Sequence, residues 1–525
     1  MIETTPQPPP QLARAKLPVV ASCTVVIFGA SGDLARRKLM PALFNLACEG
    51  CAGREFNVLG VGRTAMADAE FHARMREAVA NAADTRDYTE ARWAEFAGRL
   101  RYMMGDPNSD GIHEVIAARL EEMYADRVTR AARNLLFYLS TPPSVAKRII
   151  VGMGAAGLAS ETRGWSRIII EKPFGRDLDS AHELNETVGR SFSEHQVYRI
   201  DHFLGKETVQ NLLVFRFGNS LFEPLWNRNY VDYVEITAAE TLGVGSRATF
   251  YEETGALRDM ISNHLLQVLT LIAMEPPVAF DADAVREKEV DVLRSIRPMT
   301  PEEVRERTVR GQYTAGDVGK ERVPGYREEK NVADNSAIET FVAVQFQIDN
   351  WRWAGVPFYV RTGKRLTRKL TEIAIHLKRT RQALFAHSHK DEGDVEPNVI
   401  VVQIQPREAI TIAFDAKLPG AEMETGTVEL AFDYESTFRR RSPDAYETLL
   451  LDAMQGDATL FTRRDEVEAQ WRLITPIEQA WANGATAPPV TFYEAGANGP
   501  AEAATLLARN GHAWRDIADD DQEQS

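Results

Sequence analysis

The rhythm of apolar and polar positions changes once along this chain. From about residue 20 to 200, short runs that are apolar at nearly every position alternate with longer amphipathic stretches. The runs Thr24–Phe28, Asn57–Val61, Asn134–Leu139 and Arg167–Glu171 predict strands buried on both faces, with Leu100–Met104 a weaker one between the second and third. Such strands, spaced by helix-length segments, predict an α/β domain of Rossmann-like, doubly wound topology. After residue 200 strand runs appear at Val231–Thr237, Phe341–Ile348, Thr371–Leu377, Val399–Gln405, Ile410–Phe414 and Thr427–Asp433. In the third of these Ile373, Ile375 and Leu377 share one side, with Glu372, Ala374 and His376 on the other. One covered face fits a large, mostly antiparallel sheet. Helices are expected over 258–274 and 444–454, the second opened by Pro443. The expected organisation is a disordered leader over 1–19, containing Pro6, Pro8, Pro9 and Pro10, an α/β domain over 20–200, and an α+β domain over 201–525.

Composition narrows the class. At about 150 residues per domain, 525 residues give two to four domains. Lys plus Arg number 61 against 76 Asp plus Glu, a formal charge of −15, which argues against a protein that coats nucleic acid but leaves room for local basic pockets. Three cysteines, Cys23, Cys48 and Cys51, cannot frame a disulfide scaffold and fit a reducing, cytoplasmic compartment. No run approaches the roughly 18 apolar residues of a membrane span. The stretch from Lys16 to Cys23 has the outline of a lipoprotein signal, but its apolar part is short, is broken by Pro18, and continues into Thr24–Gly29, which reads as a strand.

Candidate chemistry gathers where strands end. Gly29-Ala30-Ser31-Gly32-Asp33-Leu34 follows the first strand, and a glycine turn between strand and helix lets backbone N–H groups approach a pyrophosphate. The spacing also suits a simple tight turn; its place as the first βα turn favours the phosphate. Pro41 predicts a kink or restart in the helix that follows. The second strand ends in Arg63 and Thr64 where an NAD site would offer an acid, so a 2′-phosphate is the natural guest, although a solvated arginine would look the same. Lys172, held before Pro173, is extended at the carboxyl end of its strand, the edge where open α/β sheets bind ligands. In Arg199-Ile-Asp-His-Phe-Leu-Gly-Lys-Glu207, Asp201 reads as a helix N-cap, and His202 and Lys206 then share a helical face fit for a phosphate monoester. A solvated, capped helix start is the plainer alternative. His264 lies on the apolar face made by Met260, Ile261, Leu265 and Val268. Alone this describes a satisfied core histidine; a carboxylate partner in a cleft would make it a base. His387-Ser388-His389 lacks further ligands at a metal-binding spacing, so no metal is expected. The acidic tail at Asp519–Asp521 reads as a solvated end.

Together these segments resemble the glucose-6-phosphate dehydrogenase family of bacterial type. The resemblance is carried by 29–41, 171–175, 199–207 and 258–267, then by 356–364, 445–454 and 466–471, and runs from about residue 23 to 515. Phe203 departs from the tyrosine common there but keeps the ring. The family implies oxidation of D-glucose 6-phosphate at C1 to 6-phospho-D-glucono-1,5-lactone with hydride passing to NADP⁺, the first step of the oxidative pentose phosphate pathway. By this match His264 is the base and Asp201 its orienting partner, while His202 and Lys206 hold the phosphate. Lys172, Glu240, Asp259 and Lys364 hold sugar hydroxyls, with Lys172 also near the nicotinamide, and Lys38 and Lys369 are further substrate contacts. Gly29, Ala30, Ser31, Gly32, Asp33, Leu34 and Arg36 fall on the pyrophosphate turn, Arg63 on the 2′-phosphate, Asp106 on the adenine side, and 138–143 form a further cofactor wall. The match makes 20–200 the NADP-binding domain and 201–525 the substrate-binding and oligomerisation domain of a homodimer or homotetramer, with no nucleic-acid or membrane partner. Two other readings are another NADP-dependent sugar-phosphate or aldose oxidoreductase and an inactive NADP-binding protein. The phosphate pair argues against an unphosphorylated sugar, and the presence of Asp201, His264 and Lys172 argues against an inactive protein.

Overall fold

In the computed structural model, which describes residues 19–517 apart from 52, 54–55, 126–131, 381–396, 440–441 and 484–486, the chain forms two compact units. Nearly all of the proline-rich leader, the group His387-Ser388-His389 and the acidic tail lie outside the described residues. The first unit comprises Met1–Lys206, Pro277–Glu287 and Pro443–Glu468, and the second comprises Glu207–Pro276, Lys288–Ser442 and Ala469–Ser525.

The first unit is built on a seven-stranded sheet in the order β17-β6-β5-β4-β1-β2-β3. Its strands are β1 Thr24–Phe28, β2 Asn57–Gly62, β3 Leu100–Met104, β4 Leu135–Leu139, β5 Ser166–Glu171, β6 Val197–Ile200 and β17 Phe461–Thr462. β1 to β6 pair in parallel and β17 closes one edge antiparallel. Every residue of β1 and β4 is buried, as their unbroken apolar runs require. β6 escapes the sequence pattern because Arg199 interrupts it. That arginine is 2% exposed and is neutralised by Glu194 at 2.6 Å, with Asn185 accepting a further hydrogen bond at 3.1 Å. Pro41 marks the expected restart: a wide π-helical turn over Ala35–Leu39 gives way to a regular helix Met40–Cys48 with the proline in its first turn. The late helix Ala445–Gln455, capped by Asp444 accepting from the Tyr446 N–H at 3.0 Å, adds Leu449, Leu450 and Met454 to the same core. Asn45 ties it down by donating to Glu447 at 2.8 Å.

The second unit holds a nine-stranded sheet in the order β16-β15-β14-β13-β7-β12-β11-β8-β18. The strands are β7 Val231–Ala239, β8 Thr308–Thr314, β11 Phe341–Gln347, β12 Pro357–Gly363, β13 Leu370–Leu377, β14 Val399–Gln405, β15 Ala409–Lys417, β16 Thr425–Asp433 and β18 Val490–Glu494, with a small hairpin β9 Gly316–Val318 and β10 Glu321–Val323 beside them. Most pairs are antiparallel; β7–β12 and β8–β18 are parallel. A π-helical stretch Leu257–Leu265 continues into the helix Leu266–Ala273 and packs on β12. The terminal carbonyls of this helix have no partners within it. Arg216 donates to the carbonyls of Leu271 and Met274 at 2.8 Å, and the Trp226 and Trp353 indoles donate to Ile272 and Ala273 at 2.8 Å. All three donors are 0% exposed, so these bonds fix the helix where water cannot compete.

Two expectations are corrected. The sheet of the second unit is not covered on one face only. Glu372, Ala374 and His376 are 5%, 1% and 7% exposed. Residues near the C-terminus cover that side: the Tyr233 ring is stacked between His376 and His512, with centroids at 4.0 and 4.1 Å. Arg361 donates to the Arg515 carbonyl at 2.8 Å, and Glu235 accepts from the Arg515 N–H at 3.0 Å. Polar alternation in the sequence therefore marks a buried layer of paired groups as readily as a wet face. The second correction concerns 201–206, which form successive turns, and the regular helix begins only at Glu207. Asp201 accepts from the Phe203 N–H at 2.9 Å, and the Leu204 and Lys206 N–H groups reach back three residues to carbonyls. Asx-type bonding of this kind competes with helix, so His202 and Lys206 do not share a helical face.

Candidate active site

Parallel pairing has one decisive consequence in the first unit: the carboxyl ends of β6, β5, β4, β1 and β2 lie along one edge. The residues that follow those strands are, in order, Asp201, Lys172, Ser140, Gly29 and Arg63. The strand order reverses at β1, which lies between β4 and β2, and such a switch point is where α/β sheets open a ligand crevice. Gly29 takes φ +83° and would place a Cβ 2.2 Å from the Ser140 carbonyl oxygen, so only glycine fits this turn. A cavity of about 480 Å³ opens beside the turn, lined by Ser31, Arg36, Lys38, Met66, Phe71 and Arg74 among others. Arg63 is exposed and, among the described residues, makes no ion pair. Arg36 and Arg37 both pair with Asp33, at 3.1 and 3.2 Å. Lys38 is held by Asp84 at 2.6 Å and Asp444 at 3.0 Å. Asp106, just past β3, accepts from the N–H and side-chain amide of Asn108, at 2.9 and 3.0 Å, closing a turn.

The edge near Lys172 also holds a group that sequence reasoning missed. Glu171, last in β5, accepts from the Tyr138 hydroxyl at 2.5 Å. Burial pushes its carboxyl up to about 7; the Tyr138 bond, the charge of Lys172 and a bond from Tyr446 act the other way, and Asp201 adds to the rise. His202 lies parallel to the Tyr446 ring, with centroids 6.3 Å apart. Tyr446 comes from a helix more than 240 residues downstream, so no local pattern could have joined it to Glu171.

The second unit carries the other candidates. Parallel register sets Gly363 of β12 opposite Ala239 of β7, so the next residues, Lys364 and Glu240, lie side by side and form an ion pair. Lys364 is 7% exposed, and its ammonium stands 5.0 Å from the centre of the Tyr251 ring. Its backbone is clamped: its N–H donates to the Thr340 carbonyl at 3.0 Å, and its own carbonyl accepts from the Tyr493 hydroxyl at 2.6 Å. Asp259 and His264 are buried, at 8% and 1% exposure, in the π-helical stretch. Its i→i+5 bonding brings residues five apart closer to one face than a regular helix does, as these two are. Asp259 faces Arg247 at 3.9 Å. Lys369 is exposed on the loop before β13.

Residues 26–211 match the family model described as glucose-6-phosphate dehydrogenase, NAD binding domain, and 213–515 match that of the C-terminal domain. The chain belongs to the glucose-6-phosphate dehydrogenase family. It is 47% identical over 495 residues to the glucose-6-phosphate 1-dehydrogenase of Aggregatibacter actinomycetemcomitans, which covers 94% of this chain and 97% of that one. It is 44% identical over 497 residues to the enzyme of Mycolicibacterium smegmatis, covering 94% and 98%. Among solved structures, a glucose-6-phosphate dehydrogenase in complex with its substrate glucose 6-phosphate superposes with a TM-score of 0.85 at 34% identity, covering 95% of this chain and 99% of that one. The enzyme from Mycobacterium avium gives a TM-score of 0.79 at 35% identity, covering 94% and 98%.

As a glucose-6-phosphate dehydrogenase the chain is an oxidoreductase that oxidises glucose 6-phosphate with NADP⁺. The first unit fits that cofactor on its own geometry. Its glycine turn is too tight for any side chain at Gly29, the turn leads into a helix start, and an exposed arginine follows β2. No helix among the described residues is long and apolar enough to cross a membrane.

Proposed function

We propose that His264 takes the proton of the C1 hydroxyl and that Asp201 orients its imidazole and stabilises the imidazolium. The C1–H bond gives up its electron pair as hydride, the hydroxyl proton passes to His264, and the C1–O bond becomes the lactone carbonyl. NADP⁺, when bound, accepts the hydride. Lys172 holds a sugar hydroxyl beside the nicotinamide, with Glu240, Asp259 and Lys364 on the other hydroxyls and Lys38 and Lys369 as further substrate contacts. His202 and Lys206 hold the phosphate through a turn, not a helix face. The segment 29–36 receives the pyrophosphate, Arg63 the 2′-phosphate, and Asp106 and 138–143 flank the cofactor. The observation that carries this reading is the strand edge that sets Asp201, Lys172, Gly29 and Arg63 in sequence along one line. The domain at 20–200 is the NADP-binding one, and 201–525 binds substrate and builds a homodimer or homotetramer. The outer strands β15 and β16 support self-association, because Met423, Val428, Leu430 and Phe438 beside them are exposed. The place of work is the cytoplasm and the oxidative pentose phosphate pathway. Absorbance of the reduced nicotinamide, followed with glucose 6-phosphate and each cofactor, tests the reading. Rates should favour NADP⁺ over NAD⁺, and Arg63→Ala should erase most of that preference. A preference for NAD⁺, or one untouched by Arg63→Ala, overturns the assignment of Arg63.

A further inference from the structure

Tyr102 lies in β3, away from every residue that the motifs singled out, yet its hydroxyl reaches the cofactor edge. It is 7% exposed and donates to the Thr64 carbonyl at 2.6 Å. The Ser31 hydroxyl stands close by: a Cβ on Gly62 would be 2.8 Å from the Tyr102 hydroxyl and 2.9 Å from the Ser31 hydroxyl, so glycine keeps this space clear for both. The phenol therefore sits next to the glycine turn after β1 and holds the residue beside Arg63 after β2. The tyrosine is itself held from two further sides. Its N–H donates to Asp68, at the start of the helix Asp68–Asn81, at 2.6 Å, and its ring meets Phe71 of that helix with centroids 4.9 Å apart.

We propose that Tyr102 is a positioning residue for cofactor specificity: it fixes the distance between the pyrophosphate turn and the arginine that meets the 2′-phosphate. This rests on the reading of Arg63 given above. A dinucleotide touches both elements at once, so its fit depends on their spacing, and only a phosphorylated ribose needs the second element to be held closely. Phenylalanine keeps the ring and its packing but cannot donate to Thr64.

The test is steady-state kinetics of the full-length enzyme with both cofactors. Loss of the Thr64 bond should lower kcat/KM for NADP⁺ about three- to tenfold in Tyr102→Phe, through KM, with NAD⁺ changed less than about twofold. The KM for glucose 6-phosphate should stay put. Equal losses with both cofactors mean that Tyr102 acts on stability alone and overturn the proposal. Arg63→Ala separates the two readings. If it leaves cofactor preference untouched while Tyr102→Phe lowers it, the spacing role of Tyr102 stands and the Arg63 assignment falls.

Discussion

Replacing Gly29 by alanine probes the turn proposed to receive the cofactor's pyrophosphate. Its φ of +83° lies in the left-handed region, where a side chain costs about 1–2 kcal/mol. The steric term is larger. The new Cβ would stand 2.2 Å from the Ser140 carbonyl oxygen and 3.3 Å from the Thr141 methyl. That carbonyl cannot swing aside, because it is backbone at the end of β4, where the Ser140 N–H donates to the Phe28 carbonyl at 3.0 Å. Forcing atoms into a packed site of this kind costs about 1–3 kcal/mol more. At about 2–4 °C per kcal/mol for a unit of this size, the variant should melt about 10 °C below the parent. Gly50 supplies the control, with φ +76° and nothing within 4 Å of its would-be Cβ. Gly50→Ala meets the strain without the clash and should lose only about 4 °C. Scanning calorimetry with and without NADP⁺ reads both, and only Gly29→Ala should also raise the KM for NADP⁺. Equal melting losses in the two variants, with an unchanged cofactor KM, would refute the claim that backbone crowding against β4 shapes this turn.

Three further outcomes follow from the site. His264→Asn should lower kcat by about 10²–10⁴-fold while the KM for glucose 6-phosphate moves little; a large rise in KM with kcat intact would make it a binding residue. Lys206→Ala should impair glucose 6-phosphate strongly and unphosphorylated glucose hardly at all, and an equal proportional loss on both sugars would remove it from the phosphate site. Glu171 sits at about 7 in the fold against an ordinary 4.5, so its contribution to stability is complete below about pH 4.5 and is lost as the pH rises through 7. Glu171→Gln, which cannot ionise, should flatten that decline in melting temperature; an unchanged pH profile would show that the carboxyl does not titrate there.

Sequence pattern alone specified the α/β unit, because strands buried on both faces must be apolar throughout and their ends must be marked by turn residues. β1 to β5 and the glycine turn were legible for that reason. It also supplied the candidates for the proposed site, since Asp201, His264, Lys172 and Arg63 stand in motifs that can be read along the chain. Tertiary structure decided what those residues stand beside. β6 was hidden by Arg199, whose charge is tolerated only because Glu194 and Asn185 receive it. The segment 201–206 has helical spacing but is folded into turns by the Asp201 side chain, a contest between local bonds that periodicity does not register. Glu372 and His376 looked solvated and are buried, because residues 510–516 supply partners from the far end of the chain. Glu171 meets Tyr138 and Tyr446, and Tyr102 reaches Thr64, through separations that no local pattern encodes. Periodicity reports which face of an element avoids water. It carries no information on which distant group will satisfy a buried polar atom.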